Sequence, residues 1–303
     1  MPTGENTVMM RAHATSGLDD TARDSGPTHR EPLLDLFPET IFARLTHALA
    51  DLAETARLWR LCWTLGWLDV KLRYRGSVLG PFWLTASTAV MVGAMSFLYT
   101  ALFHTSVAGY MPFLSLSLVL WNFMASIVNE GATCFTAAEG MVRSIRLPFG
   151  LHAARCIIRN VLVLLHNVVV VVVVFAIFHV WPGNRLIWAT PGMVLWLLDA
   201  VAACLLLGTL GARYRDIPPI IASLMQIFFF ISPIIWKPDL IAKGHEWLQL
   251  NPFYALIEIV RRPLLGGHAG LHLWHLAAID SAALWLAALL LFMRVRSRLA
   301  YWI

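Results

Sequence analysis

Residues 76–129 read GSVLGPFWLTASTAVMVGAMSFLYTALFHTSVAGYMPFLSLSLVLWNFMASIVN, so that no Asp, Glu, Lys or Arg stands between Arg75 and Glu130. A helix needs ~20 apolar residues to cross the ~30 Å hydrocarbon core of a bilayer. This stretch alone therefore holds two crossings, Pro81 to Phe103 and Met111 to Val128, the second extending toward Thr133. Four more stretches of suitable length and composition follow: Val161 to Val180, Leu186 to Leu210, Ile217 to Trp236 and Leu271 to Met293. The whole chain is 58% hydrophobic and 14% charged, well below the ~25% charged of soluble domains. Continuous apolar blocks such as Val168 to Val174 do not alternate as the ~10-residue strands of a membrane barrel would. The expected fold is an all-α integral membrane protein with six transmembrane helices over residues 81–293.

The formal charge of +5 is distributed by side rather than gathered into a nucleic-acid footprint. Of the 23 basic residues, 18 fall before the first crossing, in the second and fourth links, or after residue 293. Arg185, Lys237, Lys243, Arg261 and Arg262 make up the remainder, in the alternate links. By the positive-inside bias both termini are expected in the cytoplasm, which an even number of crossings requires. Seven acids, three arginines and four prolines in the first forty residues leave no apolar core for a secretory signal. Residues 1–56 are expected to form a disordered or loosely structured cytosolic tail, and 294–303 a second one. The four cysteines, at 62, 134, 156 and 204, fall on the cytosolic side or within a crossing, where inert thiols rather than disulfides are expected.

Ahead of the first crossing, Leu58, Leu61, Cys62, Leu65 and Leu68 recur at spacings of three and four, with Trp59, Trp63 and Trp67 beside them. This periodicity predicts an amphipathic helix within 57–80, lying at the inner headgroup level. The basic cluster Lys71, Arg73 and Arg75 favours anionic lipid; packing on a partner protein is the alternative. The link from Glu130 to Asn160 is long enough for a short cytosolic helix, broken by Pro148. Between crossings four and five lies only Gly211 to Asp216. The segment Trp247 to Val260 is apolar but 14 residues long, which suits a re-entrant or interfacial element before the last crossing.

Asp199 and Asp280 stand inside crossings, where an ionisable group is costly and is by default a functional candidate. They fit either proton coupling or hydrogen bonding within the bundle. His268, His272 and His275 are spaced for one helical face, but no carboxylate lies beside them in sequence, so no metal site is expected. His166 and Asn167 are read as helix-to-helix hydrogen-bonding groups.

Several short pieces, taken in order, resemble a known family. They are the run Arg73-Tyr74-Arg75-Gly76-Ser77-Val78-Leu79-Gly80-Pro81-Phe82-Trp83-Leu84, then Arg146-Leu147-Pro148, Arg215-Asp216-Ile217-Pro218, Ser232-Pro233-Ile234-Ile235-Trp236, and Asn251-Pro252-Phe253-Tyr254 with Arg261 to Gly266. The family is that of the membrane subunits of ABC-2 type polysaccharide exporters, which includes O-antigen, capsule and teichoic acid permeases. The resemblance implies a homodimer in the bacterial inner membrane that binds two copies of a cytosolic ATPase and exports a lipid-linked glycan. No Gly-Lys dipeptide occurs in the chain, so it has no phosphate-binding loop of the G-x-x-x-x-G-K-[ST] kind. ATP and Mg would then belong to the partner, and this chain is expected to be no enzyme and to carry no cofactor.

Within that resemblance, Arg73, Tyr74 and Arg75 are the expected substrate entrance, since guanidinium pairs with phosphate through two parallel hydrogen bonds. Aromatic rings suit the C–H faces of sugars, which makes Phe82, Trp83, Phe97, Tyr99, Phe103, Phe228, Phe229 and Phe230 the expected conduit lining; an ordinary aromatic belt is the alternative. Glu139, Arg143, Arg146, Arg213, Arg215 and Asp216 are the expected contacts to the ATPase, against the alternative of solvated turns. A drug or lipid exporter of the same superfamily, and a proton-coupled transporter using Asp199 and Asp280, are the competing functions.

Overall fold

The computed structural model describes residues 40–303 except 78–79, 81 and 239–244, and does not describe the side chains of Phe103, His245, Glu246 and Ala300. The tail expectation for residues before Thr40, and the calls on Lys243 and on the Phe103 ring, lie outside the described residues. All regular structure among the described residues is helical. The helices are α1 (Ile41–Arg57), α2 (Trp59–Arg73), α3 (Phe82–Phe103), α4 (Val107–Gly131), α5 (Glu139–Ser144), α6 (Phe149–Ile177), α7 (Thr190–Arg213), α8 (Ile217–Ile231), α9 (His245–Gln249), α10 (Pro252–Leu264) and α11 (Leu271–Trp302).

Local chemistry explains most of the boundaries. Thr40 caps α1 by accepting from the Ala43 amide at 3.3 Å, Ser106 caps α4 through Gly109 at 3.2 Å, and Asn251 caps α10 through Phe253 at 3.0 Å. Pro148 opens α6 and supplies no side-chain cap. Its orphan amides are met from a distance instead: Asp51 of α1 accepts from Phe149 at 3.2 Å and from Gly150 at 2.9 Å. Arg296 near the end of α11 reaches the same carboxylate at 3.2 Å. One buried acid thus fastens α1, α6 and α11 together. It also shows α1 as a packed helix inside the stretch expected to be a loose tail, and α11 likewise continues through Trp302 across the expected C-terminal tail. Helices α3 and α6 end with His104 and His179 in the left-handed region, closed by Thr105 donating to Thr100 at 3.2 Å and Val180 to Phe175 at 3.0 Å.

Five helical segments have the length and composition to cross a membrane: 82–102, 107–131, 149–177, 183–213 and 271–299. The segment 107–131 sits at the centre with 72% of its span buried, whereas 82–102 is peripheral at 17%. The difference from six concerns Ile217 to Trp236. Only Ile217–Ile231 of that stretch is helical, 15 residues or about 22 Å, because Pro233 disfavours helical backbone at Ser232, which adopts ψ 145°. Residues 232–236 continue as turns and bends.

Such irregular backbone is tolerated at membrane depth only where its polar groups are satisfied by protein, and here they are. Arg261 donates to the Pro233 carbonyl at 2.5 Å, Asn251 to Ser232 Oγ at 2.7 Å, and the Tyr110 hydroxyl to the Ile235 carbonyl. Helix α10 and its N-cap Asn251 supply two of these groups. It enters the bundle at the depth of Trp121, whose ring meets Phe253 at 5.4 Å, and rises to Phe113, over which the Arg261 guanidinium lies at 4.4 Å.

Helix α2 packs on α6 through Cys62, Gly66 and Val70, all buried. The close approach is made at Gly66, where a Cβ would stand 2.7 Å from Ile158. Leu61 and Leu68 stay exposed beside Trp59, Trp63 and Trp67.

Candidate functional site

At the end of the bundle that carries α1 and the C-terminus of α11, five charged side chains from three helices meet. Asp69 and Arg73 lie one turn apart on α2, Glu130 ends α4, and Arg155 and Arg159 lie one turn apart on α6. Arg155 pairs with both oxygens of Asp69, its Nε at 2.6 Å. Arg159 holds Glu130 at 2.6 Å and Asp69 at 3.3 Å. Asn160 donates to Glu130 at 2.7 Å, and Arg73 reaches it at 3.1 Å. The network carries one more positive charge than negative.

Asp69, Arg155, Arg159 and Glu130 are three-quarters or more buried, but the Arg73 side chain is 45% exposed. Of the expected entrance residues, Arg73 is therefore part of this network. Burial pushes the Tyr74 hydroxyl above its usual range, against the opposing field of Arg73. Arg75 lies exposed in the turn after α2, with no side-chain pair among the described residues, next to Gly76 at φ 87°. Asp69, Glu130, Arg155 and Arg159 escape a sequence reading because their partners lie far apart along the chain. The one local signal is the i, i+4 repeat of charge on α2 and on α6. Nearby, burial raises the Cys62 thiol, which keeps it protonated.

The expected coupling residues fall on the same end. Glu139 and Arg143 pair at 2.8 Å on exposed α5, and Arg143 also donates to the Ile303 carbonyl at 3.0 Å. Arg213 lies 4.9 Å over the Trp302 ring. Two links separated by about seventy residues are thus brought onto the last turn of α11. Arg146, Arg215 and Asp216 are exposed and make no side-chain ion pair among the described residues.

Close helix contact holds this end together. At Gly211 a Cβ would stand 1.9 Å from the Ala132 carbonyl oxygen, and at Gly208 it would stand 2.7 Å from Cys134 Sγ. The residues after α4, which lead into α5, therefore lie directly on α7.

The expected conduit aromatics fall into two groups. On α3, Phe82, Trp83 and Phe97 are exposed, Phe97 at 82%, and Tyr99 is half-buried. On α8, Phe230 is exposed, while Phe228 packs edge-on to Phe253 at 5.1 Å and Phe229 meets Trp121 at 6.0 Å. Phe228 and Phe229 thus also hold α8 against α4 and α10.

At the opposite end a cavity of about 510 Å³ is lined by Lys237, Glu258, Arg261 and Arg262 with Gly109, Phe113 and Gly267. Arg261 is one of the basic residues of the alternate links. It is 1% exposed and committed to Glu258, Ser117 and Pro233. Deeper in the bundle, Asp199 accepts from Ser281 at 2.7 Å, joining α7 to α11. His268, His272 and His275 are exposed, and among the described residues no group of three or more His, Cys, Asp or Glu is placed to hold a metal ion.

Comparison with known proteins places these elements in one frame. Residues 60–265, from α2 to the end of α10, match the family model described as ABC-2 type transporter. The chain is 21% identical over 201 residues to the O-antigen export system permease protein RfbA of Klebsiella pneumoniae, covering 66% of this chain and 78% of that protein. A second protein of that name from the same organism is 20% identical over 234 residues, covering 77% and 90%. One from Myxococcus xanthus is 20% identical over 192 residues, covering 62% and 74%.

Proposed function

This chain belongs to the ABC-2 type transporter family, and from that membership we propose that it is the permease subunit of an exporter of lipid-linked polysaccharide of the O-antigen kind. It is a multi-pass membrane protein and a transport subunit. The observation that carries the substrate class is the similarity to three O-antigen export permeases over 74–90% of their length. ATP hydrolysis is assigned to a separate cytosolic ATPase in two copies, and the working unit to a homodimer in the bacterial inner membrane. A two-fold interface is the economical place for a polymer path, because each subunit alone has few helices.

In this reading the end bearing α1, α5 and Trp302 faces the cytosol, as the count of basic residues requires. The exposed Trp59, Trp63 and Trp67 on α2 sit at the inner headgroup level. The segment 232–238 completes a sixth crossing begun by α8, and α10 is a re-entrant helix that supports it. The positive network around Arg73 and Arg159, with Arg75 beside it, meets the phosphate that links glycan to lipid. The ATPase grips α5 and the 213–216 turn, and its motion enters α4 and α7 through the Ala132–Gly211 contact.

The test is export itself. In cells lacking the native copy, the wild-type chain is expected to restore surface polysaccharide only when its ATPase partner is present; unchanged surface glycan in the null cells rejects the substrate class. The coupling face makes a narrower prediction. Arg143→Ala with Arg213→Ala removes both side-chain contacts to the last turn of α11, yet both groups are exposed, where each contact contributes ~1 kcal/mol or less to folding. The variant is expected to reach the membrane at normal levels while ATP turnover by the complex loses its dependence on glycan. Intact coupling would assign these arginines to solvated turns.

A further inference from the structure

A cavity among the crossing helices α3, α4 and α6 is lined by both apolar and uncharged polar side chains. It measures about 340 Å³, within the range of small-molecule sites. Its lining includes Thr88 on α3, Asn122, Ser126 and Asn129 on α4, and Asn160 and Asn167 on α6. Amides and hydroxyls in hydrocarbon ordinarily join helices by hydrogen bonds. Two of these do so: Thr88 donates to Asn167 at 3.3 Å, and Asn160 donates to Glu130 at 2.7 Å.

The α4 side behaves differently. Asn122, Ser126 and Asn129 stand at i, i+4 and i+7, on one stripe of the helix facing the cavity. The Asn129 amide nitrogen donates back to the Ala125 carbonyl at 2.8 Å, and its oxygen is buried without a partner. Among the described residues Asn122 and Ser126 make no side-chain hydrogen bond. An unpaired buried polar group costs about 1–3 kcal/mol; the Asn129 oxygen is one, and with the half-buried Asn122 and Ser126 on the same stripe it leaves polar groups on a central helix open to an occupant.

The chemistry of the lining selects that occupant. No charged side chain lines the cavity, so nothing in it balances the charge of an ionic cargo. An apolar cargo would leave the amides unpaired. Each Asn both donates and accepts, which matches hydroxyl groups, such as those of a sugar, that also do both. Asn160, which lines the cavity, donates to Glu130 and so joins the lining to the charged network that holds Arg73 and Arg159.

We propose that the cleft between α3, α4 and α6 is a hydroxyl-binding subsite, and that Asn122, Ser126 and Asn129 bind sugar rings of the exported glycan while its phosphate lies at the charged network. This rests on the export reading above. The experiment compares wild type, Asn122→Leu with Asn129→Leu, and Asn122→Ser with Asn129→Ser in cells lacking the native copy, measuring surface polysaccharide and the melting temperature of the purified chain. The leucine pair is expected to lower surface glycan on the order of tenfold, as the loss of two hydrogen bonds predicts, with a melting temperature equal to or above wild type because unpaired amides are gone. The serine pair is expected to recover part of the loss. Full export by the leucine pair overturns the subsite and leaves the export reading standing. A fall in glycan that tracks a fall in melting temperature assigns the stripe to helix packing and also overturns it. Failure of the wild-type copy to restore glycan removes the export reading itself.

Discussion

Gly211→Ala is expected to prevent the chain from accumulating as a folded protein. The added methyl would stand 1.9 Å from the Ala132 carbonyl oxygen, with the carbonyl carbon at 3.1 Å. These are backbone atoms that cannot swing aside, so α7 and the residues after α4 must separate. Overpacking ordinarily costs ~1–3 kcal/mol, and a clash with backbone in a fixed helix pair belongs at or above the upper end. Stability margins of ~5–15 kcal/mol leave little after such a loss at growth temperature. The control is Gly93→Ala on peripheral α3, where an added Cβ meets nothing within 4 Å, so thermal stability in detergent should be unchanged or slightly raised. Melting of the Gly211→Ala chain at the wild-type temperature would mean that α7 does not lie against Ala132.

Arg261→Met is the second substitution with a large expected effect. Its guanidinium holds Glu258, Ser117 Oγ at 2.8 Å and the Pro233 carbonyl at 2.5 Å, all buried. Removing one partner of a buried ion pair costs ~3–5 kcal/mol, and the freed Pro233 carbonyl adds the cost of an unmet acceptor. Glu258 keeps Arg262 at 2.7 Å, which offsets part of that. Combining Arg261→Met with Glu258→Gln removes the stranded charge, so the double variant should melt above the single one while remaining below wild type. Equal melting of single and double variants would show that Arg261 does not neutralise Glu258.

These two positions show what the sequence makes legible and what it hides. The membrane class and its helices are readable from residues 76–129 because hydrocarbon imposes one rule on every residue in the run: no charge without a partner. The extent of α8 is less legible, since hydropathy continues to Trp236 while the helix stops at Ile231. Pro233 is the visible cause, but what makes the break tolerable is Arg261, 28 residues away, and a composition count reads Arg261 as one more exposed cation. Asp69 and Arg155 are separated by 86 residues, and Asp51 and Gly150 by 99. No local period connects them, because their pairing is decided by which helices become neighbours. The opposite holds for Glu139 and Arg143, whose i, i+4 pair is written in the chain. The convergence of Arg143 and Arg213 on the end of α11 is not.

The most direct measurement of the central claim is glycan translocation by purified components. The chain would be reconstituted in vesicles alone, with its ATPase partner, and with that partner plus ATP, and the appearance of lipid-linked glycan across the bilayer followed in each. Translocation is predicted only when chain, ATPase and ATP are all present, with no ATP hydrolysis by the chain alone. Movement of glycan by the chain alone under an imposed proton gradient would contradict the account and return Asp199 and Asp280 to the centre of the mechanism.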